Sequence, residues 1–236
     1  MRVALVSDIH GNLVALEAVV ADVAKVGPDA VICLCAVAVT GPQPRQLICR
    51  LRQLCWLVVM GKPDAWLLDP QPWSADDEEA RRLLEVELWS ASVMKPDDLD
   101  FVRTFQPTVA LSLGARQDLL CYHGSPRSKT DFIGLETPED ELLEKLLGKW
   151  ATVMAGGHTH QQMLRRFDDA ILVNPGSVGL PYEMRDGRTV NPSWAEYALL
   201  AAGPGGLRVE FRRVPVDVEA VTAAVTVVVC LILIGG

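Results

Sequence analysis

The chain has 236 residues, 50% of them hydrophobic and 22% charged, with a formal net charge of −8 at neutral pH. That is enough sequence for a sizeable core, and α/β folds of this length are often one domain. An acidic balance lacks the basic patch that a nucleic acid or an anionic membrane surface selects, so no nucleic-acid and no membrane partner is expected.

Met1-Arg2 leads straight into an apolar run. With no basic segment and apolar stretch of signal-peptide type ahead of it, a cytoplasmic location is expected. Arg2–Ser7 reads as a strand and Leu13–Val26 as a helix, joined by Ser7-Asp8-Ile9-His10-Gly11-Asn12. Open α/β sheets place ligands in the crevice at the carboxyl ends of their strands. Asp8 and His10 fall there, and a carboxylate oxygen beside an imidazole nitrogen suits Mn, Fe or Zn. A plain surface turn is the bland alternative. Ala30–Cys35, Pro44–Leu54 and Trp56–Met60 continue as strand, helix and strand, a spacing that means βαβ units and a mostly parallel sheet. Turns at Gly27-Pro28-Asp29 and Gly41-Pro42-Gln43-Pro44 separate them. The six cysteines fit no compact disulfide spacing, and Cys33 and Cys35 read as core rather than as a soft-metal pair.

Between Asp69 and Pro107 the composition changes. Asp69-Pro70-Gln71-Pro72 breaks the chain, Ser74 is expected to cap a helix, and Asp76-Asp77-Glu78-Glu79 suits its N-terminal dipole. A second short helix is expected from Pro96 to Phe105. We read residues 70–107 as a helical insertion covering one side of the sheet. Strands resume at Thr108–Leu113 and Gln117–Tyr122, the latter delivering His123-Gly124-Ser125-Pro126. Thr137–Leu147 reads as an amphipathic helix with a capping box, Thr137 to Asp140. Ala151–Ala155 feeds Gly156-Gly157-His158-Thr159-His160. Gln162–Phe167 and Ala170–Val173 lead into Asn174-Pro175-Gly176-Ser177-Val178-Gly179. Arg185 and Arg188 lie in a polar loop that either reaches an anion or is simply solvated. Glu196–Ala201 and Leu207–Arg213 close as an antiparallel pair.

No repeat or low-complexity linker interrupts this pattern, so residues 1–236 are expected to form one domain. The tail, about 220–236, carries no charge. It is too short for the ~20 residues of a membrane helix, and its β-branched run favours a strand or an irregular apolar helix. A buried closing element or a subunit interface is expected, which leaves a homo-oligomer open.

Each of the four histidines, His10, His123, His158 and His160, follows an expected strand beside a glycine turn, so all four rings reach one crevice. The ordered set Asp8-x-His10-Gly-Asn12, Gly41-Pro42, His123-Gly-Ser-Pro, Gly157-His158-Thr-His160 and Asn174-Pro-Gly-Ser-Val-Gly179 resembles the calcineurin-like metallophosphoesterases. It is most similar to their small bacterial phosphodiesterase-like branch, and the match runs to about Asp217. The resemblance implies an α/β fold, a four-layer α/β/β/α sandwich, that hydrolyses phosphate esters with two metal ions. It implies Asp8, His10 and His160 as ligands of the first ion, and His123 and His158 as ligands of the second.

Three positions depart from that family. Counting back from Gly41-Pro42 puts Cys35-Ala36 where Gly-Asp would stand, so the bridging carboxylate is Ala36. Gly61-Lys62-Pro63-Asp64 replaces Gly-Asn-His-Asp, so Lys62 stands for the second ion's amide ligand and Pro63 for the family's catalytic histidine. Two divalent ions ~3.5 Å apart repel by roughly 19 kcal/mol at an effective dielectric of ~20. A methyl group offsets none of that. We therefore expect at most one divalent ion per chain, or none, held by Asp8, His10 and His160. Asn12, Lys62 and His123 are expected to place a phosphate, with Lys62 either adding charge or facing solvent, and Asp64 capping a short helix rather than pairing with Lys62. Loss of the proton-handling histidine alone typically costs ~10²–10⁴ in rate. The expected protein is thus a weakened phosphoesterase acting on a phosphate-containing small molecule. The alternatives are a phosphate- or nucleotide-binding module without turnover, or an assembly protein that uses its apolar tail.

Overall fold

Along β1 (Arg2–Val6), Val3 and Leu5 face one way and Ala4 and Val6 the other, and all four are fully buried. A strand with two apolar faces needs cover on both sides, and this repeats through the computed structural model. The structure describes residues 1–114, 117–146 and 148–234, with side chains as far as residue 230. After β1 come α1 (Leu13–Val26), β2 (Ala30–Cys33), α2 (Pro44–Leu54), β3 (Leu57–Val58) and α3 (Lys62–Leu68). The expected insertion holds α4 (Glu78–Ser92) and α5 (Pro96–Arg103). Then follow β4 (Val109–Gly114), β5 (Gln117–Cys121), α6 (Glu139–Leu146), β6 (Val153–Ala155), β7 (Gln162–Phe167) and β8 (Ala170–Pro175). A hairpin, β9 (Glu183–Arg185) and β10 (Arg188–Val190), precedes β11 (Trp194–Gly203), β12 (Gly206–Pro215) and α7 (Val218–Ile234).

Two five-stranded sheets result, ordered β12-β11-β1-β2-β3 and β4-β5-β6-β8-β7. The first has β1, β2 and β3 parallel, and the second has β5, β6 and β8 parallel. Val3, Leu5, Ile32, Leu119, Val153, Val173 and Leu200 fill the space between the sheets. Ala4, Val6, Tyr197 and Leu199 turn instead toward Leu16, Val19, Leu47, Leu51 and Val102 of the helices. Met154 and Leu172 face Leu142 and Leu146 of α6 on the opposite side. This is the expected α/β/β/α sandwich. Each large buried aliphatic contributes about 1.5–3 kcal/mol, so both sheets are fixed rigidly beneath the loops they carry.

Four expectations need correction. Ser74 does not start α4; Asp77 does, accepting from Ala80 N at 2.8 Å. Thr137 makes no capping box, because its hydroxyl accepts from Gly134 N at 2.9 Å. The loop carrying Arg185 and Arg188 is a hairpin whose turn residues Asp186 and Gly187 both have positive φ, the pairing that matches strand twist. The tail is a helix only partly covered: Val228 is buried, while Val218, Val225, Val227 and Val229 are exposed. It packs against α1 and α4. Its last two residues, and Leu147 at the expected end of α6, lie outside the described residues. Among the described residues no helix is long and apolar enough to cross a membrane.

Candidate functional site

Loops from the carboxyl ends of the parallel strands of both sheets meet in one cleft. Asp8 and His10 follow β1, Cys35 and Ala36 follow β2, His123 follows β5, and His158 and His160 follow β6. Ten non-glycine residues among those described have positive φ, and seven belong here: Asp8, His10, Cys35, Ala36, Thr40, His158 and His160. Such backbone is costly and persists only where its surroundings enforce it. Here they do: Asp8 N donates to Cys35 O (2.6 Å), His10 N to Ala36 O (2.9 Å) and Gly11 N to Val37 O (2.8 Å). The Asn174-to-Gly179 segment adds the other clamps. Ser177 Oγ donates to Asp8 O at 2.7 Å, and Asn174 Nδ2 donates to Gly157 O and Thr159 Oγ1 at 2.8 and 2.9 Å. Gly157 is required by close approach, since a Cβ there would lie 2.1 Å from Ser7 Oγ.

Asp8 is fully buried. Its Oδ2 accepts from Ser7 Oγ (2.6 Å) and His158 N (3.0 Å). Its Oδ1 has no hydrogen-bond partner and faces His160 Nε2 at 3.5 Å and His10 Nε2 at 3.8 Å. The two Nε2 atoms are 3.0 Å apart. His160 Nδ1 donates to Leu180 O at 2.9 Å. His10 Nδ1 bonds Thr40 Oγ1 at 2.6 Å, and that hydroxyl donates to Val39 O at 2.5 Å. Protons held on Nδ1 in this way leave both Nε2 lone pairs turned toward Asp8 Oδ1. Three lone-pair donors converging within 4.8 Å fit one divalent cation.

The charges agree with that geometry. Burial opposes ionisation of Asp8, yet its contact with His160 and the neighbouring imidazoles hold it well below the usual carboxylate range. Burial likewise opposes charge on His160, but its contact with Asp8 raises its pKa above the ordinary imidazole value. His10, buried and beside His160, is pushed down to about 3. The cluster thus sets one ionised carboxylate against two imidazoles whose pKa values are pushed in opposite directions.

The second pair differs. His123 Nδ1 donates to Leu34 O at 2.8 Å, which leaves its buried Nε2 without a partner. Its ring lies 5.0 Å from that of His158, whose pKa falls to about 4 through burial and His123, with Lys62 adding to the effect. Ala36, Lys62 and Pro63 line the same cleft. Lys62 thus lines the cavity and is also solvent-exposed.

Two roles change on sight of the structure. Asn12 was expected at the phosphate, but its amide is engaged elsewhere: Oδ1 caps α1 at Ala15 N (3.0 Å) and Nδ2 donates to Gly179 O (3.2 Å). Asp64 neither caps α3 nor pairs with Lys62. It is fully buried and accepts from Cys35 Sγ (2.7 Å), Ala36 N (3.2 Å) and Val37 N (2.9 Å), fixing the loop beneath the cleft. Arg185 pairs with Glu183 at 2.7 Å. Thr40, the partner of His10, escaped the sequence reading; its only signal was a β-branched residue just before Gly41-Pro42.

The family model for the calcineurin-like phosphoesterase superfamily domain matches residues 1–195. An uncharacterised protein of Methanocaldococcus jannaschii is 24% identical over 234 residues, covering 92% of this chain and 88% of that protein. Among solved structures, a metallophosphoesterase from Sphaerobacter thermophilus is 24% identical with a TM-score of 0.72, covering 95% of this chain and 92% of its own. A hypothetical protein from Pyrococcus horikoshii is 18% identical with a TM-score of 0.76, covering 96% and 92%. These structural likenesses establish the fold.

Proposed function

The chain belongs to the calcineurin-like phosphoesterase superfamily, and on that premise we propose that it is a phosphate-ester hydrolase reduced to one divalent ion and slow turnover. The observation that carries this is Asp8 Oδ1, a buried oxygen without a hydrogen-bond partner, facing the lone pairs of His10 and His160. These three residues would hold the ion. Bound there, it would supply Lewis-acid polarisation of a phosphoryl oxygen. Lys62 lines the same cleft and places an ammonium within reach of the remaining phosphate charge, as a point-charge partner. His123 and His158 line the same cleft beside the phosphate position. The cleft is set between two sheets that share one inner core, so we read residues 1–236 as one domain acting on a phosphate-containing small molecule in the cytoplasm.

A second reading, phosphate binding without turnover, draws support from Pro63, which carries no proton where the resemblance implies a histidine. Elemental analysis of the purified protein, after incubation with Mn or Zn, tests the metal claim. About one ion per chain, lost in Asp8→Ala, is expected; two ions, or none, would sink it. A metal-dependent rate with an aryl phosphate or phosphodiester then separates slow hydrolysis from binding alone.

A further inference from the structure

The cleft does not end at the histidines. A continuous cavity of about 640 Å³ runs from Asp8, His10, His123, His158 and His160 to an apolar end formed by Trp66, Trp73 and Leu83. That is the size of a small-molecule pocket, far larger than a phosphate needs. Both indoles are oriented: Trp66 Nε1 donates to Gln71 O at 3.0 Å, and Trp73 Nε1 donates to Glu87 Oε2 at 2.8 Å. Trp73 and Leu83 belong to the insertion and remain 38% and 42% exposed, although large apolar side chains generally gain by burial. Phe132, also exposed, stands edge-on to His158 with ring centroids 5.8 Å apart. Lys62 is the one lysine or arginine among the described residues lining this cavity. A second phosphate group would therefore find no counter-charge at the far end.

We infer that the far end is a subsite for an aromatic alcohol, so that the ligand is a monophosphate ester whose planar apolar group lies against Trp73 and Leu83 while its phosphate meets Lys62 and the histidines. This rests on the phosphate-ester reading above. Aromatic groups contribute a large contact area at low entropic cost, and the insertion supplies the surface for it.

The test compares two phosphonates, which cannot be hydrolysed, by titration calorimetry on the metal-loaded full chain: methylphosphonate and 1-naphthylmethylphosphonate. The naphthyl compound is expected to bind at least about tenfold more tightly, as burial of one ring allows. Trp73→Ala and, independently, Leu83→Gln should remove that advantage while leaving methylphosphonate affinity unchanged. Equal affinity of the two compounds, or an advantage that survives both substitutions, overturns the subsite and leaves the phosphate reading standing. If neither compound binds, both readings fall. Tighter binding of a nucleoside triphosphate than of either monophosphonate would also overturn the subsite.

Discussion

The two histidine pairs of the cleft have nearly the same shape. His10 and His160 have ring centroids 4.8 Å apart and planes tilted by 52°; for His123 and His158 the values are 5.0 Å and 54°. Their surroundings differ in charge. The first pair shares a buried carboxylate with one free oxygen, whereas the second lines a cleft with Ala36 and Lys62. On the one-ion reading proposed above, imidazole geometry alone would not decide where a dication sits. A neutral nitrogen donates a lone pair but offsets none of the ion's charge, and in a partly desolvated cleft that charge dominates.

The comparison breaks most sharply if the second pair is given an anion. Ala36 sits at φ 55°, a left-handed conformation that aspartate tolerates better than alanine. The backbone for an acid is therefore already in place. Ala36→Asp with Lys62→Asn and Pro63→His should raise metal content from about one to about two ions per chain. Turnover of an aryl phosphodiester should rise by about 10²–10⁴, the range a restored proton-handling group supplies. Elemental analysis and initial rates check it; a folded triple variant with one ion and no gain would show that the second pair lost more than charge.

Much of this was legible from residue order alone. α1 and α2 match their expected ranges, since helices with apolar stripes and defined ends announce themselves locally. The four histidines came together because each follows a buried strand, and strand ends in a sandwich converge. The roles that escaped are those set through space. Asp64 bonds residues 27 to 29 positions away, and Ser177 bonds Asp8 from 169 positions away. No periodicity encodes such partners. Asn12 shows the opposite case. An Asn before a helix is a local cap signal, and the resemblance drew it toward the phosphate instead. The tail carries an apolar run without a charge, which fixes its composition but not which stripe meets α1 and α4.

A smaller perturbation acts on the intact pair. Thr40 holds His10 by its Nδ1, fixing the tautomer that turns Nε2 toward Asp8. Thr40→Val removes the hydroxyl and keeps the shape, so the ring loses its orientation without leaving a hole. Metal affinity should fall by about 10–100-fold, the usual cost of losing an outer partner of a ligating histidine. Titration calorimetry with Mn or Zn reads it, and unchanged affinity would mean that the Val39 carbonyl, 3.2 Å from His10 Nδ1, alone suffices.

The smallest expected effect belongs to Lys62, and it sharpens the contrast because two readouts must move in opposite directions. Lys62 adds to the lowering of the His158 pKa, so its charge reaches the second pair. It is exposed, however, and water screens most of what it does there. Lys62→Ala should therefore strengthen a second divalent ion at His123 and His158 only about two- to fivefold, the scale of a screened surface pair. Inorganic phosphate should weaken by a similar factor in the same variant. If both affinities fell together, the substitution would have disturbed α3 and not the field. If phosphate held while the metal tightened, the ammonium would be a barrier to the second ion and no partner to the substrate. Opposite shifts are what a lysine in place of a cation requires, because a positive charge within reach of both would repel the metal and attract the anion.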